Sequence, residues 1–230
     1  MKVFTSNEPK AAAINALKAA LFVADEVPIL FLVSGGSSLG LLVKEILPEK
    51  CVNLAVSVLD EHYVADATER NFFKLKNLPF FSRLEECHAE LFDPYEGDVE
   101  PAGKRLNAFL KSWFVRHPDG RLVCTVGIGA DGHTMGIMPF LDEEKYFTAL
   151  FNSPETLAVG YKTSYGAFPE RLTSTFSLIS KASDVVVYAA GAEKKVILQK
   201  LFQRDEPVHE FPAQFLKTLP QATLFTDIKV

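Results

Sequence analysis

Three apolar runs that end in glycine-containing loops constrain this chain more than any other feature. They are residues 28–33 (Pro-Ile-Leu-Phe-Leu-Val), 122–126 and 184–190 (Asp-Val-Val-Val-Tyr-Ala-Ala). A strand with one face in water alternates apolar and polar residues, whereas a strand covered on both faces need not. Continuous runs of this kind predict central strands of a parallel sheet. The pattern after each run fits the crossovers such a sheet needs: a helix over 39–47, a helix or turn over 134–138 stopped at Pro139, and a helix over 193–202. Strands are also expected over 53–59, 157–161 and 222–225, with a short one within 88–92. Helices are expected over 10–23 (capped by Asn7 or Ser6), from 69 through Leu78, over 99–114 and over 212–219. The predicted fold class is α/β: a single doubly wound, mostly parallel sheet with helices on both faces.

The length, 230 residues, suits one α/β domain spanning 1–230. The formal charge is −5, with no basic block of the kind that holds nucleic acid. Cys51, Cys87 and Cys124 have neither zinc spacing nor a disulfide framework, and Cys51 and Cys124 read as buried thiols. No apolar run reaches the ~18 residues of a membrane span. The start Met1-Lys2-Val3-Phe4 lacks the apolar core of a signal peptide, so the cytoplasm is the expected compartment. The expected assembly is a monomer or weak homo-oligomer.

The loops carry the candidate chemistry. Ser34-Gly35-Gly36-Ser37-Ser38 lies between a strand and a helical pattern, an arrangement that can cradle phosphate with hydroxyls and main-chain N–H groups. A glycine turn needed only for packing explains it equally well. Asp60 and Glu61 close a predicted strand and suit a binding rim, although an isolated acidic pair is more simply a solvated loop. Gly127, Gly129 and Gly132 let the chain bend and approach a ligand, and they bring Asp131 and His133 to the mouth of a strand. A carboxylate can orient an imidazole and raise its basicity, so His133 is the candidate proton acceptor. Arg171 stands among hydroxyl residues and could hold a phosphate; alone it reads as a surface arginine. Lys194 sits in the first turn of a helix, unfavourably for the dipole unless an anion lies near. Trp113 reads as core and His117 as exposed. The histidines at 62, 88, 117, 133 and 209 show no zinc-ligand spacing.

In order, Ser34-Gly35-Gly36-Ser37-Ser38, Asp60-Glu61-His62-Tyr63-Val64, the segment Gly127 through Asp131-Gly132-His133-Thr134, Arg171-Leu172-Thr173-Ser174-Thr175 and Gly191-Ala192-Glu193-Lys194 resemble the 6-phosphogluconolactonase family. The wider group of glucosamine-6-phosphate deaminases is covered by the same resemblance. Asp-Gly-His-Thr followed by Ile137-Met138-Pro139 looks like the lactonase branch. The resemblance implies a site at the carboxyl ends of the strands, 6-phospho-D-glucono-1,5-lactone as substrate, and no metal or organic cofactor. It implies that Ser34, Gly35, Gly36, Ser37 and Ser38 hold the 6-phosphate with Arg171 and Lys194, and that His133 is the general base beside Asp131. Asp60 and His62 join the binding residues. The family pattern has arginine where His62 stands, and a partly protonated His62 is expected to serve the phosphate in its place. Main-chain amides near Gly129 and Gly132 are expected to receive the developing oxyanion. Two rivals remain. A deaminase-isomerase would use Asp60 as base, but Met138 fills the slot of its expected glutamate. A sugar-phosphate sensor would bind without turnover.

Overall fold

The computed structural model describes residues 1–23, 26–36, 38–48, 51 and 53–230. In chain order its strands are β1 (Lys2–Thr5), β2 (Ile29–Val33), β3 (Leu54–Val58), β4 (Asp60–His62), β5 (Glu90–Leu91), β6 (Arg121–Val126), β7 (Ala158–Lys162), β8 (Glu170–Ser174), β9 (Asp184–Tyr188) and β10 (Ala222–Thr226). The α-helices are α1 (Pro9–Leu21), α2 (Asn71–Lys76), α3 (Pro79–Glu86), α4 (Val99–Arg116), α5 (Glu144–Phe151), α6 (Phe176–Ile179) and α7 (Lys195–Gln203).

Seven strands form one sheet in the order β1-β10-β9-β6-β2-β3-β5, every neighbouring pair parallel. All five residues of β2 are buried. Leu30 and Leu32 face the layer of α4, α6 and α7, whereas Ile29, Phe31 and Val33 face α1, α2 and α3. That two-sided burial is why the run carries no polar alternation. The core helices occupy both faces, as the sequence predicted.

The strand order also locates the site. From β2 the chain proceeds outward through β3 to β5, then returns to the other side of β2 with β6 and continues outward through β9 and β10. Loops leaving β2 and β6 therefore diverge, and the crevice between them is the switch point at which open α/β sheets bind ligands.

Several expectations are corrected. The helix expected over 39–47 is instead a π turn, Ser38–Leu42, followed by a 3-10 turn, Val43–Glu45. Gly40 weakens a helix interior, and Leu41 and Leu47 project outward rather than sustaining an apolar face. Neither Asn7 nor Ser6 caps α1: Glu8 is the N-cap residue without a side-chain bond, and Ser6 Oγ accepts the Glu8 N–H at 3.1 Å. The segment 193–202 is a 3-10 turn, Ala192–Lys194, that leads into α7. Residues 212–219 form a 3-10 helix, Pro212–Thr218. Strand β1 and helix α5 were not anticipated, although Phe147 and Phe151 in α5 are buried at helical spacing. Cys51 and Cys124 are buried, Trp113 is core, and His117 is half-buried with its ring 5.2 Å from that of Trp113.

A second sheet, β4-β8-β7, is antiparallel and covers the carboxyl rim of the first. It is joined through Leu59, whose N–H donates to Val33 O at 2.8 Å while its carbonyl accepts Ser174 N–H at 2.9 Å. Helix α4 lies flush on β7. A Cβ on Gly103 would meet Gly160 N at 2.1 Å, and one on Gly160 would meet Val99 O at 1.8 Å. Two bare glycines thus set the closeness of that contact. This small sheet supplies Asp60, Glu61, His62 and Arg171, all singled out above.

Candidate active site

A cavity of about 410 Å³ opens at the switch point. It is lined by Ser34, Gly35 and Gly36 after β2, by Asp60 and His62 on β4, by Asn71 of α2, by the loop after β6 including Gly127, Gly129, Asp131 and His133, by Phe168 and Arg171, and by Tyr188 and Lys194. Every site residue predicted from sequence lines it except Ser37 and Ser38. Ser37 lies outside the described residues. Ser38 is fully buried, and its Oγ has no hydrogen-bond partner among the described residues. Its hydroxyl does not line the cavity wall.

The loop after β6 folds back on itself. Gly129 N–H donates to His133 O at 2.8 Å, Gly132 N–H donates to Gly129 O at 3.0 Å, and Thr134 Oγ1 donates to Gly127 O at 2.8 Å. The amides of Gly129 and Gly132 are thereby committed, which removes them as oxyanion donors. Thr134 and Ile137 bracket a tight turn in which Met135 and Gly136 both have positive φ, 54° and 72°. The second sheet clamps this turn: Tyr161 OH donates to Gly136 O at 2.6 Å, and Thr173 Oγ1 donates to Met135 O. Gly136 is pressed so closely on Asp60 that a Cβ would approach Asp60 Cβ to 2.8 Å.

On this loop, Asp131 Oδ1 accepts the His133 main-chain N–H at 3.1 Å and meets His133 Nδ1 at 2.5 Å. The carboxylate sets the tautomer: Nδ1 carries the shared proton, and Nε2 keeps its lone pair. Burial opposes ionisation of Asp131. The ring hydrogen bond, the His133 charge and main-chain N–H groups together outweigh it and hold the carboxyl down at about 2.

The acidic pair at 60–61 is no solvated loop. Asp60 is buried, with Oδ1 accepting Ser34 Oγ–H at 2.8 Å and Oδ2 accepting Asn71 Nδ2–H at 3.3 Å. Glu61 is buried beneath it. Its oxygens accept three main-chain N–H groups: His62 at 2.9 Å, Asn71 at 2.5 Å and Phe72 at 2.8 Å. Glu61 thus caps α2 and aims Asn71 at Asp60. Burial pushes its carboxyl up to about 7 against those N–H donors.

Arg171 is not on the surface either. It is 5% exposed, on β8 directly across from His62 on β4. Among the described residues it makes no ion pair and its Nε has no hydrogen-bond partner; its guanidinium carbon lies 6.0 Å from the Phe168 ring centre. A buried, unneutralised guanidinium that lines a cavity is a site prepared for an anion. Lys194 Nζ donates to Ile128 O at 2.8 Å, which ties the second cation to the loop after β6.

His62 departs from expectation. Its Nδ1 pairs with Glu69 O at 3.0 Å, and its ring stacks on Phe168 with centres 4.0 Å apart. Burial lowers its proton affinity more than nearby Asp60 restores it, which works against the partly protonated ring expected from sequence. Sequence reasoning missed the roles of Asn71 and Phe168. Asn71 matters because it fills the space a Cβ on Gly35 would need, 2.2 Å from its Oδ1, a relation with no local signal. Phe168, a lone aromatic in a polar turn-rich segment, offered a weak one.

Residues 7–225 match the family model described as glucosamine-6-phosphate isomerases/6-phosphogluconolactonase. The chain belongs to this family. Among curated members, a 6-phosphogluconolactonase of Synechocystis is 33% identical over 172 residues, which make up 72% of this chain and 66% of that protein. The matched span is thus just under two thirds of that relative's length. A probable 6-phosphogluconolactonase of Drosophila melanogaster is 28% identical, covering 84% of this chain and 77% of the relative. The family fold is shared closely with the crystal structure of a 6-phosphogluconolactonase from Shewanella baltica: TM-score 0.74 at 18% identity, covering 98% of this chain and 95% of that one. A monomeric glucosamine-6-phosphate deaminase matches almost as well, at TM-score 0.70 and 18% identity over 98% of this chain and 97% of that one. The backbone is common to both branches of the family, so the choice between them rests on side chains.

Proposed function

We propose that this chain hydrolyses 6-phospho-D-glucono-1,5-lactone to 6-phosphogluconate, a step of the pentose phosphate pathway, with His133 as general base. One observation carries the reading: an imidazole with Nδ1 locked by Asp131 shares a cavity with a buried guanidinium that has no counter-ion among the described residues. Such a pair suits a substrate with an electrophilic carbonyl at one end and a phosphate at the other. The curated relatives, all bearing the lactonase name, support it.

In this mechanism the phosphate enters among Gly35, Gly36, Arg171 and Lys194, and the remote charge fixes the ring so that the carbonyl carbon faces His133. Ser34 contributes through Asp60, to which its hydroxyl is committed. A water between Nε2 and the lactone loses its proton to Nε2 as the C–O bond forms, and the ionised Asp131 stabilises the resulting imidazolium. The proton then passes to the leaving ring oxygen as the tetrahedral intermediate collapses. The amino-sugar alternative is disfavoured by Met138, 1% exposed and without an ionisable group, and by Asp60, whose oxygens are occupied by Ser34 and Asn71. The reading places the enzyme in the cytoplasm.

The test is paired kinetics on purified lactone, corrected for spontaneous opening. His133→Ala should lower kcat by about 10²–10⁴ with little change in KM. Arg171→Ala should raise KM more than it lowers kcat. Equal losses of both parameters in the His133 variant would overturn the base assignment. Release of ammonia from glucosamine-6-phosphate would reverse the choice of reaction.

A further inference from the structure

His62 has a geometry that the reaction scheme leaves unused. Its ring is held on three sides: Nδ1 by the Glu69 carbonyl at 3.0 Å, one face by Phe168 at 4.0 Å between centres, and the backbone by pairing with Arg171 across β4 and β8. Because a carbonyl oxygen can only accept, Nδ1 must be the protonated nitrogen in the neutral ring. Nε2 is then a bare acceptor on a residue that lines the cavity. Directly opposed residues on antiparallel strands have Cβ atoms roughly 4.5–5.5 Å apart, and both side chains lie against the Phe168 ring and line the cavity, which brings one anion to both.

A neutral acceptor beside a fully ionised phosphate would be two lone pairs facing each other. One proton between them turns repulsion into a charge-assisted hydrogen bond. We propose that His62 is a proton-dependent ligand of the substrate phosphate: on binding, one proton is taken up and shared between His62 Nε2 and a phosphate oxygen, beside the permanently charged Arg171. The inference rests on the phosphate pocket proposed above and adds a proton to its inventory.

The charged groups around the ring are consistent with this. Asp60 on the same strand favours the protonated ring, Arg171 on β8 and Lys74 on α2 oppose it, and burial opposes it most. Across the cavity stand Asp131, His133 and Lys194. Without an anion, burial weighs against the proton. A phosphate carrying nearly two negative charges, with its second ionisation near pH 6, supplies the missing attraction. The bound state then holds one proton more than the separated partners at pH 7.5 or above, and affinity falls by up to about tenfold per pH unit there, the limiting slope for one linked proton.

Calorimetric titration with 6-phosphogluconate in two buffers of different ionisation enthalpy, at about pH 7.5, counts that proton directly. The wild type is expected to take up close to one proton, and His62→Gln close to none. His62→Arg supplies a permanent charge, so it should bind with little proton uptake and with affinity nearly flat from pH 7 to 8.5. This variant also serves as a folded control. Binding by the wild type without proton uptake, or unchanged uptake in His62→Gln, overturns the inference and leaves the phosphate pocket standing. Failure of 6-phosphogluconate to bind, or equal binding of unphosphorylated gluconate, overturns both.

Discussion

Gly129 and His133 hold one another in place. The Gly129 N–H donates to the His133 carbonyl at 2.8 Å, and a Cβ on Gly129 would stand 2.1 Å from His133 Nδ1 and 2.6 Å from Asp131 Oδ1. The dyad therefore rests on a bare Cα. Gly129→Ala should push the ring off the carboxylate while the rest of the fold persists. Misplacement by about 1 Å can cost on the order of 10²-fold in rate. A fall of that order in kcat, with circular dichroism unchanged, is the expected outcome; wild-type turnover would mean that the ring's seat is not catalytic.

Arg171 is a buried charge without an ion-pair partner among the described residues. Binding residues of this kind often sit at the expense of stability. Arg171→Met keeps length and removes the charge. It should raise the unfolding free energy by about 1–4 kcal/mol while KM for the lactone rises. Thermal unfolding and kinetics on the same preparation test the trade; a lower Tm with unchanged KM would contradict it.

Glu61 makes stability depend on pH in a direction unusual for a carboxylate. Its group is raised from 4.5 to about 7 in the folded chain. Between those values the native state holds a proton that the unfolded state has released, so stability falls as pH rises through this window. Glu61→Gln should flatten that slope, measured as Tm against pH. It should also cost about 1–3 kcal/mol, because an amide NH2 must face a main-chain N–H that the carboxylate accepted. An unchanged slope would remove Glu61 as its source.

Gly160→Ala tests the seam between α4 and the second sheet. The added methyl would stand 1.8 Å from Val99 O, a main-chain atom that cannot rotate away. Destabilisation of about 1–3 kcal/mol or more is expected. A chain of this length loses roughly 2–4 °C of Tm per kcal/mol, so differential scanning calorimetry would resolve it. Because β8 carries Arg171 next to β7, KM should rise as well.

Central strands and buried helices were legible because their signal is local. The burial of β2 on both faces appears as an unbroken run, and Leu106, Leu110 and Trp113 of α4 recur at helical spacing. The dyad was legible for the same reason, since Asp131 and His133 are two residues apart on one turn. Helix boundaries after Ser38 were not, because Gly40 and Pro48 bound a short apolar stretch that satisfies a helical pattern without sustaining a helix. Of the sheet β4-β8-β7 only the strand over 157–161 was anticipated; β4 and β8 and their pairing escaped notice because they are short and partly polar and pair over long separations in the chain.

Periodicity and glycine placement alone were enough to establish a two-sided parallel sheet and a loop presenting Asp131 and His133, since both follow from rules acting within a few residues. Whether Asp60 and Glu61 lie in water or in the core, whether Arg171 is a surface cation or a buried one, and in which direction the proton affinity of His62 shifts were decided only by tertiary packing. Desolvation and hydrogen-bond partners set those properties. The partners arrive from strands and helices far away in sequence: Ser34 and Asn71 around Asp60, Phe168 beside Arg171, and Glu69 on His62.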